Sequence, residues 1–361
     1  MQGDLQYRRM GGVGHMLCLA MAGLLSGCAA SPHLGGPARD GRYDSFFPQQ
    51  DVAGVIDRVA PSVQMVTAIA FYKVYAIPEA DARTRSALSP ALLARYEAGA
   101  QFVNTVNVGA ATMLSLRPRE ALLLTCAHVV LFPDTIVSFH PSSPGGSTPL
   151  LSSVALRVRS SVSVAVLPEG GEVSVVASDE ETDIALVGKH FDASVGPGVC
   201  ACAYPFGMAD ELDWGTFVYV LGYPRGQLML THGLVSLERR PAREGFFIDA
   251  GMGRGFSGGP VLALRDGVPN VEWVGMARMM PGETSFVLAP GLEDGAVQYD
   301  PTTPYRGEAY VHRQTELHYG MARAISAESI LDFLERHRDT VEGAGYAPIP
   351  LRRHRDAAPP E

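Results

Sequence analysis

Positive charge is in short supply in this chain. Its 29 lysines and arginines face 38 aspartates and glutamates, a formal net charge of -9 over 361 residues. Neither a basic cluster interleaved with aromatics nor a phosphate-cradling glycine loop occurs, so nucleic acid is not an expected partner. Cysteine is scarce as well: Cys18, Cys28, Cys126, Cys200 and Cys202 are the whole set. Cys200-Ala201-Cys202 is not metal spacing, and neither a metal nor a cofactor is expected. No apolar run is long enough to cross a bilayer as a mature helix. What is present suffices for a folded core, with 47% hydrophobic and 19% charged residues, a balance that disordered chains do not show.

The longest apolar run, "MLCLAMAGLLSGC", comes after Arg8 and Arg9 and suits the hydrophobic segment of a secretion signal over residues 1–27. It ends in Leu25-Ser26-Gly27-Cys28, which resembles the bacterial lipobox, where cleavage precedes a lipidated cysteine. That resemblance implies an exported protein tied to the membrane through Cys28. Stable anchoring takes more than one acyl chain. Ala29, rather than Asp, after the cysteine suits an outer-membrane, periplasmic-side location in a Gram-negative cell. With Cys18 in the signal and Cys28 lipidated, three cysteines remain and cannot all pair, so no disulfide framework is expected.

Residues 28–50 are rich in Gly, Pro and Ser and read as a tether. Val52, Val55, Ile56 and Val59 then share one helical face until Pro61 stops it. Most of the chain beyond Pro61 has period two: "SVSVAV", "TFVYVLG", "LMLTHGLVSLE", "GFFIDA" and "VEWVGMA" are short β-rich runs between Gly and Pro turns. Two stretches read as surface insertions, one near 78–101, where Ser89-Pro90 can start a helix, and one near 281–311. Ser326 can cap a closing helix carrying Ile330, Leu331 and Leu334, and residues 344–361 read as a disordered tail.

The chemistry centres on "GRGFSGGPVL", which holds Ser257 among glycines. The string fits G-x-S-x-G, the nucleophile elbow of α/β-hydrolases, and would make an esterase using the downstream His312 or His318. However, Gly258-Gly259-Pro260 followed by "VLAL" is a poor helix start, and the elbow needs a helix there. Upstream, "ALLLTCAHVV" places His128 at the end of an apolar strand and "ETDIALVG" places Asp183 at the mouth of another. His128, Asp183, Ser257 is the chymotrypsin order of a catalytic triad. His140, His190 and Asp179 are competing groups without a matching strand context.

From about Val55 to Leu334 the chain resembles the trypsin-like serine peptidases, most closely the HtrA/Deg branch. "VIDRVAPSVQMV", "NVGAATMLSL", "VYVLGYPRGQLMLTHGLVSLE", "FFIDAGMGRGFSGGPVL" and "HYGMARAISAESILDFL" carry the resemblance. It implies an all-β fold over 51–343, made of two perpendicular six-stranded antiparallel β-barrels, about 60–200 and 214–325, with a short N-terminal and a C-terminal helix. No PDZ domain is expected after Leu334.

The resemblance implies a serine endopeptidase acting on polypeptide substrates. His128 would be general base, Asp183 its orienting acid and Ser257 the nucleophile, with the amides of Gly255 and Ser257 forming an oxyanion hole worth roughly 3–4 kcal/mol per donor. The primary specificity pocket would be built by Gly251, Met252, Met276 and Ala277. Gly251 supplies no carboxylate, so cleavage after small or medium aliphatic residues is expected. "EWVGMA" would offer an edge for an extended substrate. The interval from His128 to Asp183 is longer than usual for the branch, which implies an enlarged loop near 140–180. Phe256 stands where the family usually has Asn or Asp, and Cys126 where a small or polar residue is usual. A catalytically inactive, peptide-binding relative is the alternative that Phe256 favours.

Overall fold

The computed structural model describes residues 39–351 apart from 46, 49, 141–148, 237–244, 279–282, 291–308 and 317–320. The signal segment, Cys28, most of the tether, His318 and the tail beyond 351 lie outside the described residues. Among the described residues, no helix is long and apolar enough to cross a membrane.

Helix α1 (Ala53–Val59) forms where the apolar spacing places it, burying Val55 and Val59 before Pro61 turns it into a 3-10 segment. Seven strands come next: β1 (Val63–Ala76), β2 (Gln101–Arg117), β3 (Glu120–Cys126), β4 (Thr135–Phe139), β5 (Leu151–Ser163), β6 (Glu172–Asp179) and β7 (Ile184–His190). Six of them close a barrel in the order β1-β2-β3-β7-β6-β5, with β5 pairing back onto β1 and β4 lying on the outer flank of β5. All these pairings are antiparallel.

The second barrel contains β8 (Phe217–Gly222), β9 (Met229–Ser236), β10 (Phe246–Ile248), β11 (Pro260–Leu264), β12 (Val271–Arg278) and β15 (Ala322–Ser326). It closes in the order β10-β15-β12-β11-β8-β9. Two closed six-stranded antiparallel barrels with few helices make the chymotrypsin-like all-β fold. The continuous apolar runs of barrel two come from burial on both faces. Val218 and Val220 of β8, Val261 and Ala263 of β11 and Val274 and Ala277 of β12 point into the barrel. Their alternates Tyr219, Leu221, Leu262, Leu264, Trp273 and Met276 join the core shared with barrel one. Each such large side chain contributes about 1.5–3 kcal/mol by leaving water. Helix α4 (Ala327–Arg336) begins at Ser326, whose hydroxyl accepts the Ser329 N–H at 3.2 Å, and buries Ile330, Leu331 and Leu334.

Three expectations are corrected by the structure, the first being a disordered tail from residue 344: Tyr346 is buried in the core and the Ala347 N–H donates to Glu120 Oε1 at 3.1 Å. The segment 140–180 is not an enlarged loop: much of it is β5 and β6, because β5 is long enough to pair with β1 from Thr67 to Ala76. The stretch near 281–311 does stand apart from both barrels, with β13 (Glu283–Pro290) and β14 (Ala309–Glu316) pairing as a separate antiparallel sheet. "EWVGMA" is no free edge. Pro260–Leu264 pairs with it on one side, while Ala324–Ser326 and an isolated bridge from Phe206 occupy the other. The insertion at 78–101 does fold locally. Ser89 caps α2 (Pro90–Ala94), and Leu92 and Leu93 pack with Tyr75, Ile77, Leu151 and Val154 in a satellite core.

Candidate active site

Strand register brings the first two groups together. β3 pairs with β7 so that Cys126 faces Ile184, which sets the chain just after β3 against the residue just before β7. The turn into α3 (Ala127–Val130) is held by Asp183 at both ends: its carbonyl accepts the Ala127 N–H at 3.1 Å and its Oδ1 accepts the His128 N–H at 2.9 Å. Asp183 reaches that position with φ of 61°, in the left-handed region, a conformation costing about 1–3 kcal/mol in a non-glycine residue and kept where surrounding contacts demand it.

The carboxylate also holds the imidazole. His128 Nδ1 lies 2.8 Å from Asp183 Oδ2 and 3.0 Å from Oδ1. An ionised carboxylate only accepts, so Nδ1 carries the proton and Nε2 is left with its lone pair as a base. The Asp183 side chain is 5% exposed and the His128 side chain 47%, so the acid is shielded while its imidazole faces the cleft. A further partner, Arg278, places Nε 2.9 Å from Asp183 Oδ2. Arg278 ends β12, so barrel two reaches across to the acid of barrel one. Sequence reasoning passed over it, although it is the charged residue that terminates the apolar run "VEWVGMAR".

Ser257 sits on a turn clamped by both barrels. Its carbonyl accepts the Ala110 N–H of β2 at 2.8 Å, and the next amide, Gly258, donates to Ala277 O of β12 at 2.9 Å. Glycine is required at 258: φ is 90°, and a Cβ would lie 1.9 Å from Ala110 O. At Gly255, φ is 107° and a Cβ would lie 2.3 Å from Tyr223 O. The Gly255 carbonyl is turned away to accept the Tyr223 N–H at 2.8 Å. Its own amide donates to no protein group among the described residues, which leaves a donor for a developing oxyanion. Phe256 is 4% exposed in the core of barrel two. Its ring packs so closely on Gly222 that a Cβ there would lie 2.6 Å away, so packing does for this turn what a polar side chain does through hydrogen bonds.

One cleft of about 1180 Å³ contains His128, Asp183, Gly255 and Ser257 on its lining. The residues expected to form the specificity pocket lie off that lining. Gly251 is exposed, whereas Met252, Met276 and Ala277 are packed in the core at 7%, 0% and 0% exposure. Asp249 is spent on the backbone, accepting the Leu234 N–H. The competing groups are engaged elsewhere: His140 bonds Ile77 O at 3.0 Å, His190 stacks on Tyr346, and Asp179 pairs with Arg336. A strand, β11, rather than a helix comes after Ser257, so the elbow of an α/β-hydrolase is not formed.

Cys126, His128 and Asp183 have donor atoms within 4.8 Å of one another, close enough to share a metal ion. The donor set does not suit one. Arg278 already places a cation on the carboxylate. Burial, reinforced by Asp183, pushes the Cys126 thiol well above its ordinary range, so it stays protonated and donates to Ala277 O.

Comparison with known proteins bears on the fold. Residues 110–276 match the family model described as a trypsin-like peptidase domain. No curated protein matches the chain. The match and the two six-stranded barrels together support a chymotrypsin-like peptidase fold.

Proposed function

We propose that the protein is a serine endopeptidase of the HtrA/Deg-like branch, exported and anchored by lipid on Cys28, that cuts extracytoplasmic polypeptides through an acyl-enzyme. His128 Nε2 takes the Ser257 proton as Oγ attacks the scissile carbonyl and returns it to the leaving amine. Asp183 fixes the tautomer and stabilises the imidazolium, while the Gly255 and Ser257 amides hold the oxyanion. The observation that carries this reading is the His128 Nδ1 contact with the shielded Asp183 carboxylate, in the same cleft as Ser257 and the undonated Gly255 amide. Cleavage after aliphatic residues rests on the sequence position of Gly251 alone, which brings no carboxylate to receive a cation, since Met252, Met276 and Ala277 are packed in the core. The anchor rests on Leu25-Ser26-Gly27-Cys28.

The test is peptide hydrolysis by the purified chain. Ser257→Ala and His128→Ala each abolish turnover, and the double variant is little worse than either, since triad members act as a unit. Turnover that survives Ser257→Ala, or losses that multiply, overturns the reading.

A further inference from the structure

Beyond the reacting groups, the cleft wall carries Arg225 and Arg254. Both are exposed, and among the described residues neither makes an ion pair or a hydrogen bond. The other arginines near buried acids are spent: Arg265 on Glu272 and Glu211, Arg278 on Asp183. Among the described residues the cleft offers only two acids on its lining. Asp183 is taken by His128 and Arg278, which leaves Glu180 against two unspent guanidinium groups. In a chain of net charge -9, this local excess of positive charge stands beside the nucleophile.

Their placement is specific. Arg254 directly precedes Gly255, and Arg225 stands on the Tyr223–Gly226 turn whose Tyr223 N–H holds the Gly255 carbonyl. The two cations therefore flank the amide assigned to the oxyanion. Arg225 has φ of 55°, a left-handed backbone that glycine or asparagine adopts at less cost. From Ser257 the cleft runs along Met65 and Thr67 of β1 and Val106 and Val108 of β2, whereas Gly251 lies off it. On the specificity reading above, which puts the acyl side at Gly251, the leaving-group side falls to this cleft.

We propose that Arg225 and Arg254 form a carboxylate subsite on the leaving-group side, so that the protein selects peptides bearing a carboxylate within a residue or two after the cut bond. The carboxylate is either an acidic side chain or the free C-terminus of a short substrate. A planar guanidinium pairs with either in a bidentate, charge-assisted contact. This inference rests on the peptidase reading above.

Matched quenched peptides carrying Asp or Asn just after the cut bond, each with a free or an amidated C-terminus, test it through the ratio of kcat/KM within one preparation. That ratio does not depend on the folded fraction. The wild type should favour the carboxylate about tenfold. Arg225→Gln should bring the ratio near parity, and Arg225→Glu should push it below one. Preference for Asp with an amidated end identifies the side chain as the source, and preference for the free end alone identifies the C-terminus. A wild-type ratio near one, or a ratio unmoved by Arg225→Glu, overturns the subsite while leaving the peptidase reading intact. A protein that cuts none of the peptides overturns both.

Discussion

Glu272 and Asp183 are both carboxylates with almost no exposure, 1% and 3%, and each is met by an arginine. Around Glu272 the partners named among the described residues, Arg265 and Tyr43, are themselves buried. Arg265 Nε donates to Oε1 at 2.8 Å, the Tyr43 hydroxyl donates to Oε2 at 2.5 Å, and the guanidinium lies over the Tyr43 ring at 3.9 Å. Burial and the neighbouring Glu272 hold the Tyr43 hydroxyl well above its ordinary range. Around Asp183 one partner is open, because His128 keeps half its side chain in the cleft. A carboxylate whose partners are all buried can only hold strands together. One whose partner faces solvent can pass the benefit of its charge to a proton transfer.

The two clusters should part most widely when each acid is neutralised. Asp183→Asn should lower kcat by about four orders of magnitude, by presenting the wrong hydrogen-bond pattern to His128, while near-UV circular dichroism shows a folded protein. Glu272→Gln should do the reverse. It leaves a buried arginine short of charge and should cost about 3–5 kcal/mol in denaturant unfolding, with kcat per folded molecule unchanged.

Arg278 stands between the two cases, since it belongs to a half-open cluster. Arg278→Ala should lower kcat about tenfold, the worth of one hydrogen bond to a charged group, with little change in melting temperature. A large loss of stability instead would make it a second Arg265. The smallest effect is at Tyr43. Because its folded-state value is raised, its contribution is complete below the ordinary 10.0 and is lost as pH rises beyond it. Tyr43→Phe should cost about 1 kcal/mol at neutral pH and flatten the alkaline fall in melting temperature.

What could be read from the chain was whatever is local. The continuous β-rich run "TFVYVLG" marks β8, Ser326 marks the start of α4, and the glycines after Ser257 mark a turn that no helix can extend. The pairing of His128 with Asp183 was legible because each ends or begins an apolar strand in a family context. Arg278 was not, because its partner lies far along the chain and on the other barrel, and only closure of both sheets brings them to 2.9 Å. The same limit explains "EWVGMA" and the segment 140–180. Period two reports that a strand exists, but not how many neighbours it has or how far a partner such as β1 extends. Met252, Met276 and Ala277 read as an apolar pocket wall because apolar side chains line pockets and cores alike.

The central claim is that the open cluster around Asp183 arms Ser257, and covalent labelling reads this most directly. A fluorophosphonate probe, followed by peptide mapping, should modify the wild-type chain at Ser257 and leave Ser257→Ala, His128→Ala and Asp183→Asn unmodified or slowed by orders of magnitude, with Glu272→Gln labelled at the wild-type rate per folded molecule. Labelling at another residue, or at Ser257 with equal speed in the Asp183→Asn variant, would contradict it.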